Sequence, residues 1–164
     1  MQEYLSEAVV LNKEPSGDTD VRVSLFTKRF GKFIAKAKSA RKITSKLSPH
    51  LEPGNVVEAR LVEKNGLQIA DALKQSKLEM APADLYTLNL LLPENEPEPR
   101  LWQLLVSRKW KWAAALKILG WDPEETLCSI CGKKTPRAFK ISSQEFVCGE
   151  CSSKFERAEL LYIY

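Results

Sequence analysis

The sequence has very little of what an enzyme active site is usually built from. It contains one histidine, His50, and it has no glycine-rich phosphate loop and no Ser/His/Asp order. The acidic residues that stand close together, Glu94, Glu96 and Glu98, lie among prolines in a connector and do not suit a Mg²⁺ site. We therefore predict that the protein is not an enzyme and has no small-molecule substrate.

Long apolar runs are also missing. No stretch is long enough to span a bilayer, and residues 1–4 have neither the basic start nor the apolar core of a signal peptide. We expect a cytoplasmic protein with no membrane partner. Thiols stay reduced in that compartment, so the four cysteines are better candidates for metal ligands than for disulfides.

Acidic residues are absent from one long stretch. Residues 21–51 contain no Asp or Glu but nine basic residues, which leaves 16 basic and 21 acidic residues elsewhere. Such a concentrated positive field attracts polyanions. The alternative is a solvated lysine-rich surface that only aids solubility. The candidate polyanion-binding residues are Arg22, Lys28, Arg29, Lys32, Lys36, Lys38, Arg41, Lys42 and Lys46.

Alternating apolar residues predict a small β-barrel in the first half of the chain. Asn65-Gly66 lies between two strand-like runs, which is a strong hairpin signal because both turn residues need positive φ. A polar segment separates the third strand from the fourth, and this element order is typical of an OB-fold, with an SH3-like barrel as the alternative. The predicted strands are residues 4–12, 21–26, 32–38, 56–63 and 67–73.

In an OB-fold the second and third strands face the ligand, and the basic stretch falls there. The period of two places Phe33, Ala35 and Ala37 inside the barrel. It places Lys32, Lys36 and Lys38 outside, in a row that can follow a phosphate backbone and that continues into Arg41, Lys42 and Lys46. Phe26 lies on the face of Arg22, where it either stacks on a base or, as we prefer, belongs to the core.

The middle of the sequence predicts helices at residues 81–92 and 100–119, joined by an acidic, proline-rich connector at 94–99. The second helix is apolar on two sides, which favours a position between elements or against a partner. Basic and aromatic residues interleave at residues 107–112 within it. That pattern suits nucleic-acid contact, but buried tryptophans with cations on their rim are the simpler interpretation.

The four cysteines form two CxxC pairs, Cys128 with Cys131 and Cys148 with Cys151. Four thiolates close the tetrahedral sphere of Zn²⁺, so we predict one structural zinc ion per chain in a zinc-ribbon-like hairpin. The cations around it, Lys133, Lys134, Arg137 and Lys140, either balance the site's negative charge, which we prefer, or contact DNA. The predicted fold is α+β: an OB-fold barrel at residues 1–77, then a small helical domain at 78–164 with its zinc site at 128–151.

The basic region also carries a family resemblance. Residues 17–27 (Gly-Asp-Thr-Asp-Val-Arg-Val-Ser-Leu-Phe-Thr), Gly31-Lys32 and residues 37–42 (Ala-Lys-Ser-Ala-Arg-Lys) resemble the N-terminal domain of RecO, the bacterial recombination mediator. Ser-Lys-Leu at 45–47 and Leu-Glu-Pro at 51–53 resemble its continuation. The order of barrel, helices and four-cysteine site is similar too, although the helical part, which in the family includes the surface for the SSB tail, is shorter here.

This resemblance implies an OB-fold that binds single- and double-stranded DNA and anneals complementary strands at the bacterial nucleoid. It also implies partnership with RecR and help in loading RecA onto strands coated by SSB. The family's basic positions correspond to Lys32, Lys36, Lys38, Arg41 and Lys42. Two alternatives stay open from the residues alone: an OB-fold and zinc-ribbon adaptor that binds RNA, and a protein-interaction scaffold that uses the tryptophan-rich helix.

Overall fold

The protein divides into two compact units. The structure, a computed structural model, describes residues 1–164, and the units are Met1–Pro99 and Arg100–Tyr164. Its helices all lack the length and apolar character needed to cross a membrane.

The first unit is built on a closed five-stranded barrel. Its strands follow the order β1-β2-β3-β5-β4, with β1 pairing again to β4 and β3 pairing in parallel to β5. A short 3₁₀ helix, Ser48–Leu51, lies between the third and fourth strands. This arrangement confirms the predicted OB-fold. The strands are β1 (Gln2–Ser16), β2 (Asp20–Thr27), β3 (Gly31–Ala37), β4 (Asn55–Glu63) and β5 (Leu67–Lys77).

The barrel interior holds the side chains that the alternation predicted. Phe33, Ala35 and Ala37 are all buried, and Ala37 is fully enclosed. The interior of a small barrel is narrow, so small side chains such as alanine fit there beside larger ones. Phe26 is buried as well, although it does not belong to the cluster that fills the barrel, so the interpretation that it is core or covered, rather than stacking on a base, is confirmed.

Helix α1 (Pro82–Leu91) lies against β1 and confirms the predicted helix at 81–92. Its first residue is a proline, which is tolerated there because the first amide groups of a helix have no partner within the helix. Leu85, Leu88 and Leu91 form its buried face.

The connector after α1 touches the barrel at the turn between β2 and β3. Gly31 has a φ of +78°, and a Cβ placed on it would lie 2.3 Å from the carbonyl carbon of Glu96. The amide of Asn95 donates to the carbonyl of Lys32 at 3.0 Å. The connector is therefore a loop that packs against the first unit.

The second unit contains two short helices where the sequence predicted one. Helix α2 (Pro99–Val106) ends before Arg108, which has a φ of +60°, and α3 (Trp112–Ile118) begins after a five-residue loop. The Ser107 hydroxyl donates to the carbonyl of Leu104 at 2.8 Å and accepts from the amide of Lys109 at 3.2 Å. The predicted continuous helix at 100–119 is therefore wrong, because local hydrogen bonds of a serine compete with the helical ones here.

The end of the chain forms a three-stranded sheet beside the cysteines. Strands β6 (Pro136–Lys140) and β7 (Glu145–Cys148) are the predicted hairpin, and β8 (Leu160–Tyr162) pairs with the free edge of β6. A single turn of helix, α4 (Gly149–Ser152), follows Cys148. Trp121 packs on Phe139 of β6 with the ring centroids 5.3 Å apart.

Candidate nucleic-acid interface and metal centre

Three of the nine basic candidates are neutralised by acidic neighbours on the barrel surface. Exposed pairs of this kind stabilise a fold little, but they cancel much of the local field that would attract a polyanion. These pairs could not be predicted from the sequence, because all three acids precede the acid-free stretch in the chain and approach it only when the strands pair. The pairs are Arg22 Nε with Glu14 at 2.8 Å, Lys28 with Glu7 at 3.2 Å, and Lys36 with Asp20 at 3.1 Å.

Besides its ion pair with Lys36, Asp20 accepts a backbone hydrogen bond. Its Oδ1 accepts the amide of Ser39 at 2.7 Å. This backbone hydrogen bond, with the Lys36 ammonium second, lowers the pKa of the Asp20 carboxyl. Asp20 therefore stays ionised and fixes the start of the loop that follows β3.

Lys32 is buried rather than presented to solvent. Only 8% of its surface is exposed, and its Nζ donates to the carbonyl of Asn89 at 2.8 Å. Asn89 lies in the last turn of α1, where carbonyl groups lack partners within the helix and the helix dipole favours a cation. Burial lowers the pKa of Lys32, while Glu94 acts in the opposite direction. Lys32 therefore lies on the outer face of β3, as the alternation predicts, but it is not exposed to solvent there, because helix α1 and the connector cover that end of the strand.

This placement gives a first testable prediction. We expect Lys32→Met to destabilise the first unit by about 1 kcal/mol, because the Asn89 carbonyl loses its charged donor. If the basic surface binds a polyanion such as DNA, we expect that affinity to stay within about twofold of the native value, since the Nζ does not face solvent. Chemical denaturation followed by circular dichroism, and a DNA titration, measure the two effects. Lys38→Met is the matched control, and equal losses of DNA affinity in the two variants would contradict the assignment.

The two arginine candidates are tied to backbone carbonyls but keep their charge. Arg29 Nη1 donates to Leu5 at 3.1 Å, and its guanidinium lies over the Phe30 ring. Arg41 Nη1 donates to Gly17 at 3.0 Å. Each guanidinium has five N–H donors, so both retain donors for a phosphate.

The remaining three candidates, Lys38, Lys42 and Lys46, line one groove. The groove holds about 550 Å³ and lies between the loop of residues 38–50 and strand β5, which contributes Ala70 to Leu73. All three lysines are exposed, and none makes an ion pair. Most of the basic residues that lack an acidic partner therefore lie in the loop after β3. We call the groove lined by Lys38, Lys42 and Lys46 the lysine groove.

His50 also lines the lysine groove. Its Nδ1 accepts the amide of Lys74 at 3.0 Å, so a neutral imidazole carries its proton on Nε2 and can donate there. The sequence analysis assigned no binding role to His50. Its place in the groove could not be predicted, because it depends on contact with Lys74 of β5, which lies 24 residues further along the chain.

The four cysteine sulfurs converge at the end of the second unit. All lie within 4.8 Å of one another, and those of Cys131 and Cys148 are 3.7 Å apart. Tetrahedral Zn–S bonds of about 2.3 Å place sulfurs about 3.8 Å apart, so the cluster has the size of a metal site. The ligands come from two tight turns, in which Gly132 donates to the carbonyl of Cys128 and Cys151 donates to the sulfur of Cys148.

Backbone amides point at two of these sulfurs. Burial raises the pKa of Cys128, but the amides of Cys131, Cys148 and Ile130 outweigh it and hold the pKa at about 6. The amide of Cys151 lowers the pKa of Cys148, while burial raises that of Cys151 to about 12. The turns thus stabilise negative charge on the cluster, which suits a cation bound by thiolates.

Two of the cations near the cysteines, Lys133 and Lys140, are engaged inside the second unit. Lys133 pairs with Glu150 at 2.6 Å, and this carboxylate, followed by the Cys131 and Cys148 thiolates, raises the pKa of Lys133. Lys140 lies over the Phe155 ring at 4.5 Å. These contacts favour charge balance at the metal site over a second DNA contact.

The interleaved basic and aromatic residues at 107–112 form the loop between α2 and α3 and the first residue of α3. Trp110 and Trp112 contact each other edge to face, with ring centroids 5.1 Å apart, and Trp112 is buried. Paired tryptophans in this arrangement favour the core interpretation of the segment over base stacking.

Comparison with known proteins agrees with this architecture. The family model described as "Recombination protein O N terminal" matches residues 1–78. DNA repair protein RecO of Thermodesulfovibrio yellowstonii is 27% identical over 179 residues, covering 93% of this chain and 71% of the relative. DNA repair protein RecO of Thermoanaerobacter sp. is 28% identical over 185 residues, which covers 96% of this chain and 74% of the relative. DNA repair protein RecO of Bartonella bacilliformis is 33% identical over a shorter region of 114 residues, which covers 62% of this chain and 46% of the relative.

Proposed function

Since the chain belongs to the RecO family of DNA repair proteins, we propose that it binds single- and double-stranded DNA at the lysine groove and anneals complementary strands. The observation that carries this proposal is the groove itself. Lys38, Lys42 and Lys46 line one concave surface of an OB-fold barrel without internal ion pairs, so their charge is available to phosphates. Arg41 adds a partly engaged guanidinium on the same loop.

The proposed mechanism involves no covalent chemistry. Phosphates of a strand displace condensed counterions when they meet the lysines, and this release supplies binding free energy without sequence preference. With the charge of one strand partly neutralised, a second strand approaches with less repulsion, and base pairing selects the complement. His50 Nε2 is placed to donate to the same backbone.

The structure modifies the set of contact residues that we propose. Lys38, Arg41, Lys42 and Lys46 are the primary set. Arg22, Lys28, Arg29 and Lys36 are secondary, because internal partners engage them. Lys32 is removed from the set, since its amine is buried.

The proposal includes partners and a cofactor. We propose that the protein acts with RecR, and that it assists RecA loading onto DNA coated by SSB, in the bacterial cytoplasm. We propose that the OB-fold region that holds DNA is residues 1–77, and that residues 78–164 carry one Zn²⁺ ion at Cys128, Cys131, Cys148 and Cys151. Zn²⁺ suits four thiolates, and with a closed ligand sphere its role is structural.

A pair of triple variants tests the proposed surface. We expect Lys38→Ala, Lys42→Ala and Lys46→Ala together to weaken binding of an oligonucleotide to all sequences alike. The slope of log K against log salt should fall in magnitude by about 2, because three phosphate contacts to a single strand each contribute about 0.7. Fluorescence anisotropy at several salt concentrations gives both numbers.

The control variant removes the same formal charge elsewhere. Arg22, Lys28 and Lys36 are replaced by Ala, and because each is already neutralised by an acid, we expect a smaller loss of affinity and of slope. Equal effects of the two triple variants would reject the lysine groove as the binding surface. A preference of the native chain for structured RNA over DNA would instead support an RNA adaptor.

Annealing is tested with complementary labelled strands, with and without RecR. We expect the native chain to accelerate duplex formation and the groove variant to lose most of that acceleration. The interaction-scaffold alternative predicts partner binding that survives the groove variant without any annealing. Its main support in the sequence was a continuous two-sided helix at 100–119, and that helix is two helices in the structure.

A further inference from the structure

The loop that carries the lysine groove also carries an apolar residue that the fold does not use. Ile43 is 105% exposed, which means that its side chain meets nothing in the molecule. Away from the chain ends, the next most exposed large apolar residue is Leu73 at 57%. Isolated half-exposed apolar residues are normal on protein surfaces, but a completely free isoleucine at a loop tip is not explained by packing.

Turn chemistry does not explain Ile43 either. The amide of Ser45 donates to the carbonyl of Lys42 at 2.9 Å, so Ile43 and Thr44 are the central residues of a β-turn. Such positions favour Gly, Pro, Asn or Asp, and β-branched side chains have little conformational freedom there. The fold gains nothing from an isoleucine at this position, which leaves the side chain available to a ligand.

The loop presents Ile43 from a fixed base. Ala40, buried at 2%, anchors the loop in the barrel core. The amide of Arg41 donates to Thr19 at 2.8 Å, and the amide of Lys42 donates to Ser39 at 3.1 Å. The tip is therefore a short turn mounted on an ordered stem, and its apolar side chain projects without having to be ordered on binding.

The surroundings of Ile43 identify the ligand by charge. Lys42 precedes it, Arg41 and Lys46 stand on the same loop, and no acidic residue occurs between positions 21 and 51. An apolar tip ringed by cations fits a polyanion whose interior is apolar. Nucleic acid has this chemistry, because its phosphates lie outside and its stacked bases lie inside, and apolar wedges such as isoleucine are known to enter between base steps.

We propose that Ile43 is a wedge that inserts between adjacent bases of the DNA strand held by the lysine groove and unstacks them. The proposal rests on the proposed DNA-binding function and adds a second role to the same loop. The cations hold the backbone, and Ile43 disrupts base stacking. Unstacked bases are open to pairing with a complementary strand, which would assist annealing.

The test uses a short single-stranded oligonucleotide with 2-aminopurine between two stacked purines, because its fluorescence rises when the base unstacks. We expect the native chain to raise the fluorescence at saturation, and Ile43→Ala to abolish most of the rise while weakening binding about tenfold, as expected from losing burial of one aliphatic side chain. Ile43→Phe should keep the signal. Thermal unfolding should be unchanged in all variants, because Ile43 touches nothing.

Ile43→Lys separates the wedge from simple electrostatics. The added charge should steepen the salt dependence of binding, yet the 2-aminopurine signal should still be lost. A signal that survives in Ile43→Lys overturns the wedge while leaving DNA binding intact. Failure of the native chain to bind the oligonucleotide overturns the wedge and the proposed function together. Ile43-dependent binding to phosphatidylserine vesicles, with no effect on DNA, overturns the wedge in favour of a membrane contact.

Discussion

Removal of the proposed zinc ion is expected to unfold the cysteine-bearing end of the chain while the barrel stays folded. The buried cluster around the candidate metal site consists of six residues, and three of them are its cysteines Cys128, Cys148 and Cys151. Only Ala138, Val147 and Leu160 provide aliphatic side chains there. The apolar packing directly around the cysteines is therefore small, and structural zinc supplies on the order of 10 kcal/mol in comparable small domains.

Tryptophan fluorescence reports this unfolding selectively. All four tryptophans lie within residues 100–164, and Trp121 packs directly on Phe139 in the central strand of the ribbon sheet. We expect a chelator to shift the emission to longer wavelength and to lower the fluorescence transition temperature by more than 10 °C, a shift of the size that a few kcal/mol produce in a small unit. The β-sheet signal of the barrel in circular dichroism should persist. Metal analysis should give one Zn²⁺ per chain, restored on readdition.

Single substitutions give the matched comparison. Cys128→Ser removes a buried ligand, whereas Ser129→Ala changes the exposed neighbouring position by one oxygen atom. We expect the first variant to behave like the chelated protein and the second like the native one. If Cys128→Ser keeps the native fluorescence transition after full metal removal, the ribbon is held by packing alone and the structural role of the metal is wrong.

The metal site and the barrel could be predicted from sequence because their signals are local. Two CxxC pairs flanking a short hairpin specify four thiolates on two turns, whatever surrounds them. Alternation over β2 and β3 fixes which side chains enter the barrel, since a period of two leaves no other register. Phe33, Ala35 and Ala37 accordingly lie inside.

The partners of several basic side chains could not be predicted, because they depend on contacts between distant parts of the chain. Alternation places Lys32 on the outer face of β3, but nothing within the strand states that α1, more than fifty residues later, covers that face. The acids that neutralise Arg22, Lys28 and Lys36 meet them only through strand pairing or across the β2–β3 turn. The break at Ser107 was hidden for a different reason, because tryptophan, lysine and arginine around it continue a helical pattern that one serine and one positive φ interrupt.

Gly31→Ala is expected to be among the most destabilising single substitutions in the first unit. Any residue other than glycine at a φ of +78° costs about 1 kcal/mol. Here the new Cβ would in addition lie 2.3 Å from the carbonyl carbon and 2.4 Å from the carbonyl oxygen of Glu96, both backbone atoms that cannot rotate away. We expect a total loss of roughly 3 kcal/mol or more, because the connector must leave the β2–β3 turn.

Gly17→Ala isolates the clash from the backbone strain. Gly17 has a φ of +68°, close to that of Gly31, but a Cβ on it would meet nothing within 4 Å. We expect this variant to lose only the conformational part, about 1 kcal/mol, in chemical denaturation followed by circular dichroism. The difference between the two variants measures the contact between the connector and the barrel. Losses of equal size would mean that residues 93–98 do not lie against the turn in solution. They would also contradict the burial of Lys32 beneath α1 and this connector.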